Sequence, residues 1–278
     1  MAAKLTVKDI VQKKGGDRKI SMLTAYDAPM AMLLDQAGID ILLVGDSLGM
    51  VVLGLDSTVP VTMEQMLHHA TAVSRGAESA LVVGDMPFGS YLVDPGETVK
   101  NGIRFLKEAG CDAVKLEGGM DVCADVRALV RAGVPVMGHL GLTPQTAGRL
   151  GGFKVQGKTM QAGRKLLADA RALEQAGAFA LVLECVPGRL AEVITRGTTI
   201  PTIGIGAGPH CDGQVLVTND MLGLFEKFTP GFVKKYLNLA PQLKEAVNAF
   251  QDEINNGVFP APEHTFGTDE DFSRLLVD

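Results

Sequence analysis

The chain has 278 residues, 46% of them hydrophobic, and a formal charge of −6 at pH 7. That length suits one large domain or two small ones built around a sizeable core. Mild acidity without a basic cluster excludes the electrostatics of nucleic-acid binding, and no run approaches the roughly 18 unbroken apolar residues that a membrane span requires.

The N-terminal stretch MAAKLTVKDIVQKKGGDRKI lacks the apolar core of a secretory signal, so a cytoplasmic protein is expected. A first strand, KISMLTA, opens a repeating order of strand, loop and amphipathic helix. Helical segments are predicted at 27–38, 62–76, 94–110, 120–133, 159–177 and 188–197. All six end in glycine (Gly38, Gly76, Gly110, Gly133, Gly177, Gly197), the residue best suited to a left-handed helix end. The intervening runs IDILLVGDS, SALVVGD, DAVKLEGG, VPVMGHLG and FALVLEC are short and nearly continuous in Val, Leu and Ile, the pattern of buried parallel strands. A seventh strand reads as IPTIGIGAG and a weaker eighth as GQVLVTND.

Eight β/α units over roughly 230 residues predict a (β/α)8 barrel, here a single domain over 1–278. An open doubly wound sheet would carry Gly-x-Gly-x-x-Gly after its first strand, where this chain has AYDAPM. The segment 141–160 is long for a connector and reads as a lid or substrate-binding loop. Beyond about residue 229 the pattern changes to one or two helices and a polar tail, mobile or packed on a neighbouring subunit. Cys111, Cys123, Cys185 and Cys211 show no Cys-x-x-Cys spacing and read as reduced thiols.

Charged side chains stand where the apolar runs stop. Asp46 and Asp85 close the second and third strands, as neighbours at the barrel mouth. Each alone suits a helix cap. As a pair of close carboxylates they call for a cation, and a hard divalent ion such as Mg²⁺ takes one or two of them. Lys115 and Glu117, two apart on the fourth strand, point to the same inner face, either as a mutual salt bridge or as contacts to an anionic substrate and a metal. His139 ends the fifth strand and is a candidate to bind a substrate carboxylate or keto oxygen. Glu184 ends the sixth in the apolar LVLECVP, where such surroundings favour a general base. Ser47 adds a hydroxyl beside Asp46. Gly204, Gly206 and Gly208 fit a phosphate loop or close backbone packing, and His68 and His69 read as surface or packing residues on a helix.

The segments MLTAYD, LLVGDSLGM, DSTVPVT, GDMPFGSY, VKLEGG, GHLGLTPQ, GGFKVQG, LVLECVP and IGIGAG resemble the ketopantoate hydroxymethyltransferase family from about residue 5 to about 266. The resemblance implies a barrel of the phosphoenolpyruvate/pyruvate-binding superfamily. It implies Mg²⁺ on Asp46 and Asp85 with Glu117 in its outer shell, keto acid held by Ser47, Asp85, Lys115 and His139, and Glu184 as base. The implied reaction moves a hydroxymethyl group from 5,10-methylenetetrahydrofolate to 3-methyl-2-oxobutanoate, giving 2-dehydropantoate on the route to pantothenate and coenzyme A. A homo-oligomer, commonly a decamer built as a pentamer of dimers, is implied as well. The alternative is a Mg²⁺-dependent 2-keto-acid or phosphonate lyase of the same superfamily. Many of those carry a Lys-x-x-Cys-Gly loop, which this sequence lacks. A catalytically silent barrel would have lost a metal carboxylate or the base, and none is missing.

Overall fold

The computed structural model describes residues 3–148 and 151–276. The eight apolar runs form parallel strands: β1 (Ile20–Thr24), β2 (Ile41–Val44), β3 (Leu81–Asp85), β4 (Ala113–Glu117), β5 (Val136–Gly141), β6 (Ala180–Glu184), β7 (Thr202–Ile205) and β8 (Gly213–Leu216). They pair in chain order, and β8 closes on β1. The helices are α1 (Val7–Gln12), α2 (Ala28–Gln36), α3 (Leu48–Val51), α4 (Met63–Gly76), α5 (Pro95–Lys107), α6 (Cys123–Arg131), α7 (Met160–Ala176), α8 (Gly188–Arg196), α9 (Thr218–Met221) and α10 (Leu239–Asn255). The closed (β/α)8 barrel expected from the strand count is therefore present.

Local chemistry starts the helices where the sequence suggests. Asp27, Thr62, Asp94 and Thr159 cap α2, α4, α5 and α7 through their side-chain oxygens, and Thr62 and Gln65 complete a reciprocal capping box. Gly38, Gly110, Gly133 and Gly177 take positive φ after their helices, as expected. Gly76 and Gly197 do not. Gly76 is the last residue of α4, where a Cβ would collide with the Ala28 carbonyl, so it serves the close approach of α2 and α4. Gly197 has φ −89° at the end of α8.

The barrel wall separates two cores because side chains alternate along each strand. Val82, Val114, Leu116, Leu181 and Leu183 face the helices, against Phe105, Leu129 and Leu173. Ile20, Ile41, Leu81, Ala113, Met137, Ala180 and Ile203 fill the barrel interior. The interior is also occupied by Ile10 of α1, a helix the periodicity did not predict. Leu5, Val7 and Val11 pack beside it, while Lys13 pairs with Asp40 and Lys14 with Asp212 at 2.9 Å. This helix closes the N-terminal end of the barrel.

Gly84 on β3 is a contact point between wall and helix. A Cβ there would meet Phe105 Cε1 at 2.7 Å, and Phe105 is fully buried. Gly84→Ala is expected to lower stability by about 1–3 kcal/mol through overpacking, read as a lower urea midpoint.

The predicted eighth strand is shorter than the segment GQVLVTND. The chain turns into α9 because Thr218 donates its backbone N–H to Thr24 Oγ1 at 3.0 Å and its hydroxyl to the Thr24 carbonyl. After α9 an irregular stretch reaches α10, followed by a 3-10 turn at Pro262–His264 and another at Phe272–Leu276. Among the described residues no helix is long and apolar enough to cross a membrane. All four cysteines are free, with Cys111, Cys123 and Cys211 buried.

Candidate active site

The C-terminal ends of β2 to β6 bring the predicted charged residues to one place. Asp46, Ser47, Asp85, Lys115, Glu117, His139 and Glu184 all line a cavity of about 580 Å³. Strand register sets their order: Asp85 lies beside Lys115, Glu117 beside His139, and Gly141 beside Glu184. Asp46 is not on a strand but in the turn after β2, and its backbone N–H donates to Asp85 Oδ2 at 3.2 Å. Neither aspartate caps the helix that follows it: α3 has Ser47 at its N-cap and no side-chain cap, and Asp94 caps α5.

Lys115 Nζ sits 2.8 Å from Asp85 Oδ1, 3.8 Å from Glu117 Oε1 and 3.2 Å from His139 Nδ1. The mutual Lys115–Glu117 bridge is thus the longer of its two ion pairs, and Asp85 is the nearer partner. His139 lies between two carboxylates, with Nδ1 3.4 Å from Glu117 and Nε2 3.3 Å from Glu184. Asp85 Oδ1 and His139 Nε2 are buried at these ion-pair distances without an aligned hydrogen bond. Glu184 is half-buried. Its carboxylate meets the His139 imidazole rather than the apolar wall that LVLECVP suggests, because the apolar residues Leu181 and Leu183 turn outward.

The electrostatics follow from burial and neighbours. Burial raises Asp46 well above the ordinary carboxylate range, and the Asp85 and Glu117 charges add to the rise. Burial raises Asp85 too, despite the opposing Lys115 ammonium. At Glu117 burial acts in the same direction but loses to the His139 hydrogen bond and the His139 and Lys115 charges, so its carboxyl lies below the usual range. Burial and Lys115 work against a proton on His139, yet Glu117 and Glu184 outweigh them and lift it to about 9. Lys115 is held protonated: the Asp85, Glu117 and Asp46 charges overcome its burial.

This donor set suits a hard divalent cation. Asp46 and Asp85 offer oxygen atoms whose charge is costly in a buried site, and Asp85 Oδ1 lacks an aligned donor. Among the described residues no group of three or more His, Cys, Asp or Glu side chains is disposed to enclose an ion. Such an ion would take most of its ligands from substrate and water, as Mg²⁺ commonly does.

Several site residues carried no signal in the sequence. Gln145, from a 3-10 turn after β5, donates Nε2 to Asp46 Oδ2 at 2.9 Å and its backbone N–H to Glu117 Oε2 at 3.1 Å. Tyr91 donates its hydroxyl to Gln145 Oε1 at 2.7 Å. Tyr26 and Ser47 share a hydrogen bond of 2.9 Å. Gln145 and Tyr91 lie inside the quoted segments GHLGLTPQ and GDMPFGSY, but an uncharged side chain in a loop does not stand out. Cys185, directly after Glu184, holds the left-handed φ of 49°, and its carbonyl accepts from the Gln156 N–H at 2.9 Å. That bond ties the 141–160 loop over the site, where Phe153, Lys154 and Val155 line the cavity. Residues 149 and 150 of that loop lie outside the described residues.

The glycines of GIGAG are explained by packing. A Cβ on Gly206 would meet Phe232 Cδ1 at 2.8 Å, and one on Gly208 would meet Gly188 Cα at 3.1 Å. His68 is exposed and His69 Nδ1 lies 2.7 Å from the Tyr26 carbonyl, both on α4 away from the charged cluster.

Fold and site together define a (β/α)8 barrel with a charged cavity at the C-terminal ends of its strands. Phosphonopyruvate hydrolase superposes with a TM-score of 0.61 at 14% identity, covering 98% of this chain and 95% of that one. A 2,3-dimethylmalate lyase, itself a PEP mutase/isocitrate lyase superfamily member, superposes with a TM-score of 0.56 at 16% identity, over 98% and 94%. At such identities the likeness is one of fold. Sequence relatives are far nearer. The 3-methyl-2-oxobutanoate hydroxymethyltransferase of Desulfotalea psychrophila is 64% identical over 98% of this chain and 97% of its own. That of Heliobacterium modesticaldum is 56% identical over 99% and 100%. Residues 4–262 match the ketopantoate hydroxymethyltransferase family, and the chain belongs to it.

Proposed function

We propose that the enzyme transfers a hydroxymethyl group from 5,10-methylenetetrahydrofolate to 3-methyl-2-oxobutanoate, giving 2-dehydropantoate for pantothenate and coenzyme A synthesis. One observation carries the reading: two buried carboxylates, Asp46 and Asp85, face the Lys115 ammonium in the same cavity as Glu184. This arrangement suits an anionic keto acid bound beside a cation, with a base within reach.

Asp46 and Asp85 would hold Mg²⁺, with Glu117 as an outer partner fixed by the Gln145 N–H and His139. When bound, the ion would supply Lewis acidity toward the keto oxygen. Lys115 and Ser47 bind the substrate carboxylate. Glu184 takes the proton from the carbon next to the keto group, and His139, 3.3 Å away, orients it. The resulting enolate carbon bonds to the folate methylene as one of its two carbon–nitrogen bonds breaks. Water bonds to the same carbon as the second breaks, supplying the hydroxyl. The proton taken by Glu184 and one proton of the water go to the two released nitrogens. Tetrahydrofolate leaves.

The test uses proton NMR in D₂O. With 3-methyl-2-oxobutanoate and Mg²⁺ the C3 proton signal should disappear, and EDTA should stop the loss. Adding methylenetetrahydrofolate should then yield 2-dehydropantoate. Folded, Mg²⁺-loaded enzyme that exchanges no proton would remove the enolate mechanism.

Replacing Lys115 with alanine should chiefly raise the keto-acid KM, by at least about 30-fold for the loss of a buried charged contact. An unchanged KM would return Lys115 to a purely structural partner of Asp85.

A homo-oligomer, a decamer arranged as a pentamer of dimers, is the assembly we expect. Leu243, Val247, Phe250 and Ile254 recur on one side of α10 and are exposed, a stripe that a second subunit would cover. Light scattering in solution should give a mass several times that of the 29.3 kDa chain.

A further inference from the structure

The charged cluster uses the rim from β2 to β6. The remaining arc, above β7, β8 and β1, belongs to the same cavity and is built differently. Phe225, Phe228 and Phe232, which follow β8 in the chain, line the cavity, as do Phe153 and Lys154 of the 141–160 loop. Phe153 is 59% exposed and Phe228 60%, so both rings are open to a ligand in the cavity. Such rings form stacking walls for a flat heterocycle.

One carboxylate faces this arc. Asp220, in the short α9, lines the cavity and is only 7% exposed. Its side chain forms no hydrogen bond or ion pair among the described residues, and its backbone carbonyl accepts the Gly223 N–H instead. Burial lifts its carboxyl to about 6 against the opposing charge of Lys235, as expected of a carboxylate without donors. A carboxylate that lines the cavity without a protein donor is open to a ligand that brings donors of its own.

We propose that Asp220 reads the 2-amino-4-oxopyrimidine edge of the folate ring, accepting hydrogen bonds from its 2-amino group and the adjacent ring N–H. This inference rests on the folate reading above and names the group that recognises the donor. The two donors of that edge lie side by side like the fork of a guanidinium, which a carboxylate matches bidentately. The phenylalanines flank the ring faces. Lys154, at the loop above, is placed for the anionic glutamate end of the cofactor. The keto acid, a molecule of a few heavy atoms, occupies the opposite arc and leaves this one free.

The test compares two fluorescent probes, 6-methylpterin and 6-methyllumazine, which differ in the 2-amino group, on the Mg²⁺-loaded enzyme and its Asp220→Asn variant. Asparagine keeps the shape but turns one acceptor into a donor. The expected result is a loss of pterin affinity of at least about tenfold, the scale of a hydrogen bond to a charged group. Lumazine affinity should change less than about threefold on the same scale. In turnover the KM for methylenetetrahydrofolate should rise in parallel while the keto-acid KM stays within about twofold. An equal loss for both probes would make Asp220 a structural residue, and no loss for either would remove it from the ring's contacts. If the wild-type enzyme bound neither pterin nor tetrahydrofolate, the folate reading itself would fail, an outcome visible before the variant is made.

Discussion

Glu184→Ala is expected to lower turnover by about 10²–10⁴-fold while leaving keto-acid binding within about twofold. The geometry separates the two effects. Glu184 is the least buried of the cavity's acidic side chains named above, with 16% of its side chain exposed, and it touches His139 rather than Asp46, Asp85 or Lys115. Removing it takes away a proton acceptor without disturbing the groups that would bind metal and carboxylate. It also removes one of the two carboxylates that lift His139, so the imidazole should titrate below its wild-type value of about 9. Single-turnover kinetics and an NMR titration of His139 read the two consequences independently. Wild-type turnover in the variant would exclude Glu184 as the base.

Asp85→Ala should weaken Mg²⁺ and the keto acid together, each by more than about 100-fold, since even the outer partners of a metal site are worth about 10–100-fold. The coupling arises because Asp85 touches both halves of the site: its backbone-bound oxygen joins it to Asp46 at 3.2 Å, and its other oxygen pairs with Lys115 at 2.8 Å. A pH effect accompanies this. Burial raises the folded-state pKa of Asp46 and Asp85 above the ordinary value, so the metal-free protein binds more protons folded than unfolded. Its stability therefore falls as pH rises from the ordinary carboxylate range through those raised values. A divalent cation offsets the repulsion once the carboxylates ionise. Mg²⁺ should raise the Tm more at pH 8 than at pH 5 in the wild type, and hardly at all in Asp85→Ala. A Tm gain that survives the substitution would place the ion elsewhere.

The sequence by itself determined the barrel and the charged half of the site. Short Val-, Leu- and Ile-rich runs alternating with capped helices admit few folds, and a charge that ends a buried run is costly unless it has a partner or a task. Asp46, Asp85, Lys115, Glu117, His139 and Glu184 could be selected on that ground because a strand, or for Asp46 the turn directly after one, places each of them at the mouth. Local pattern was less reliable where a glycine answers to a neighbour rather than to its own turn, as Gly76 does against Ala28. The tertiary structure alone decided what meets at the mouth. Gln145 and Tyr91 are uncharged loop residues, and their link to Asp46 and Glu117 exists only because loops from separate units converge there. Asp220 sits in a segment that reads as strand and forms a helix, because Thr218 bonds to Thr24 across 194 positions of sequence. Ile10 fills the barrel floor from a helix too short to declare itself by periodicity. Burial within a strand leaves a mark on neighbouring residues in the chain, whereas a contact between distant loops leaves none.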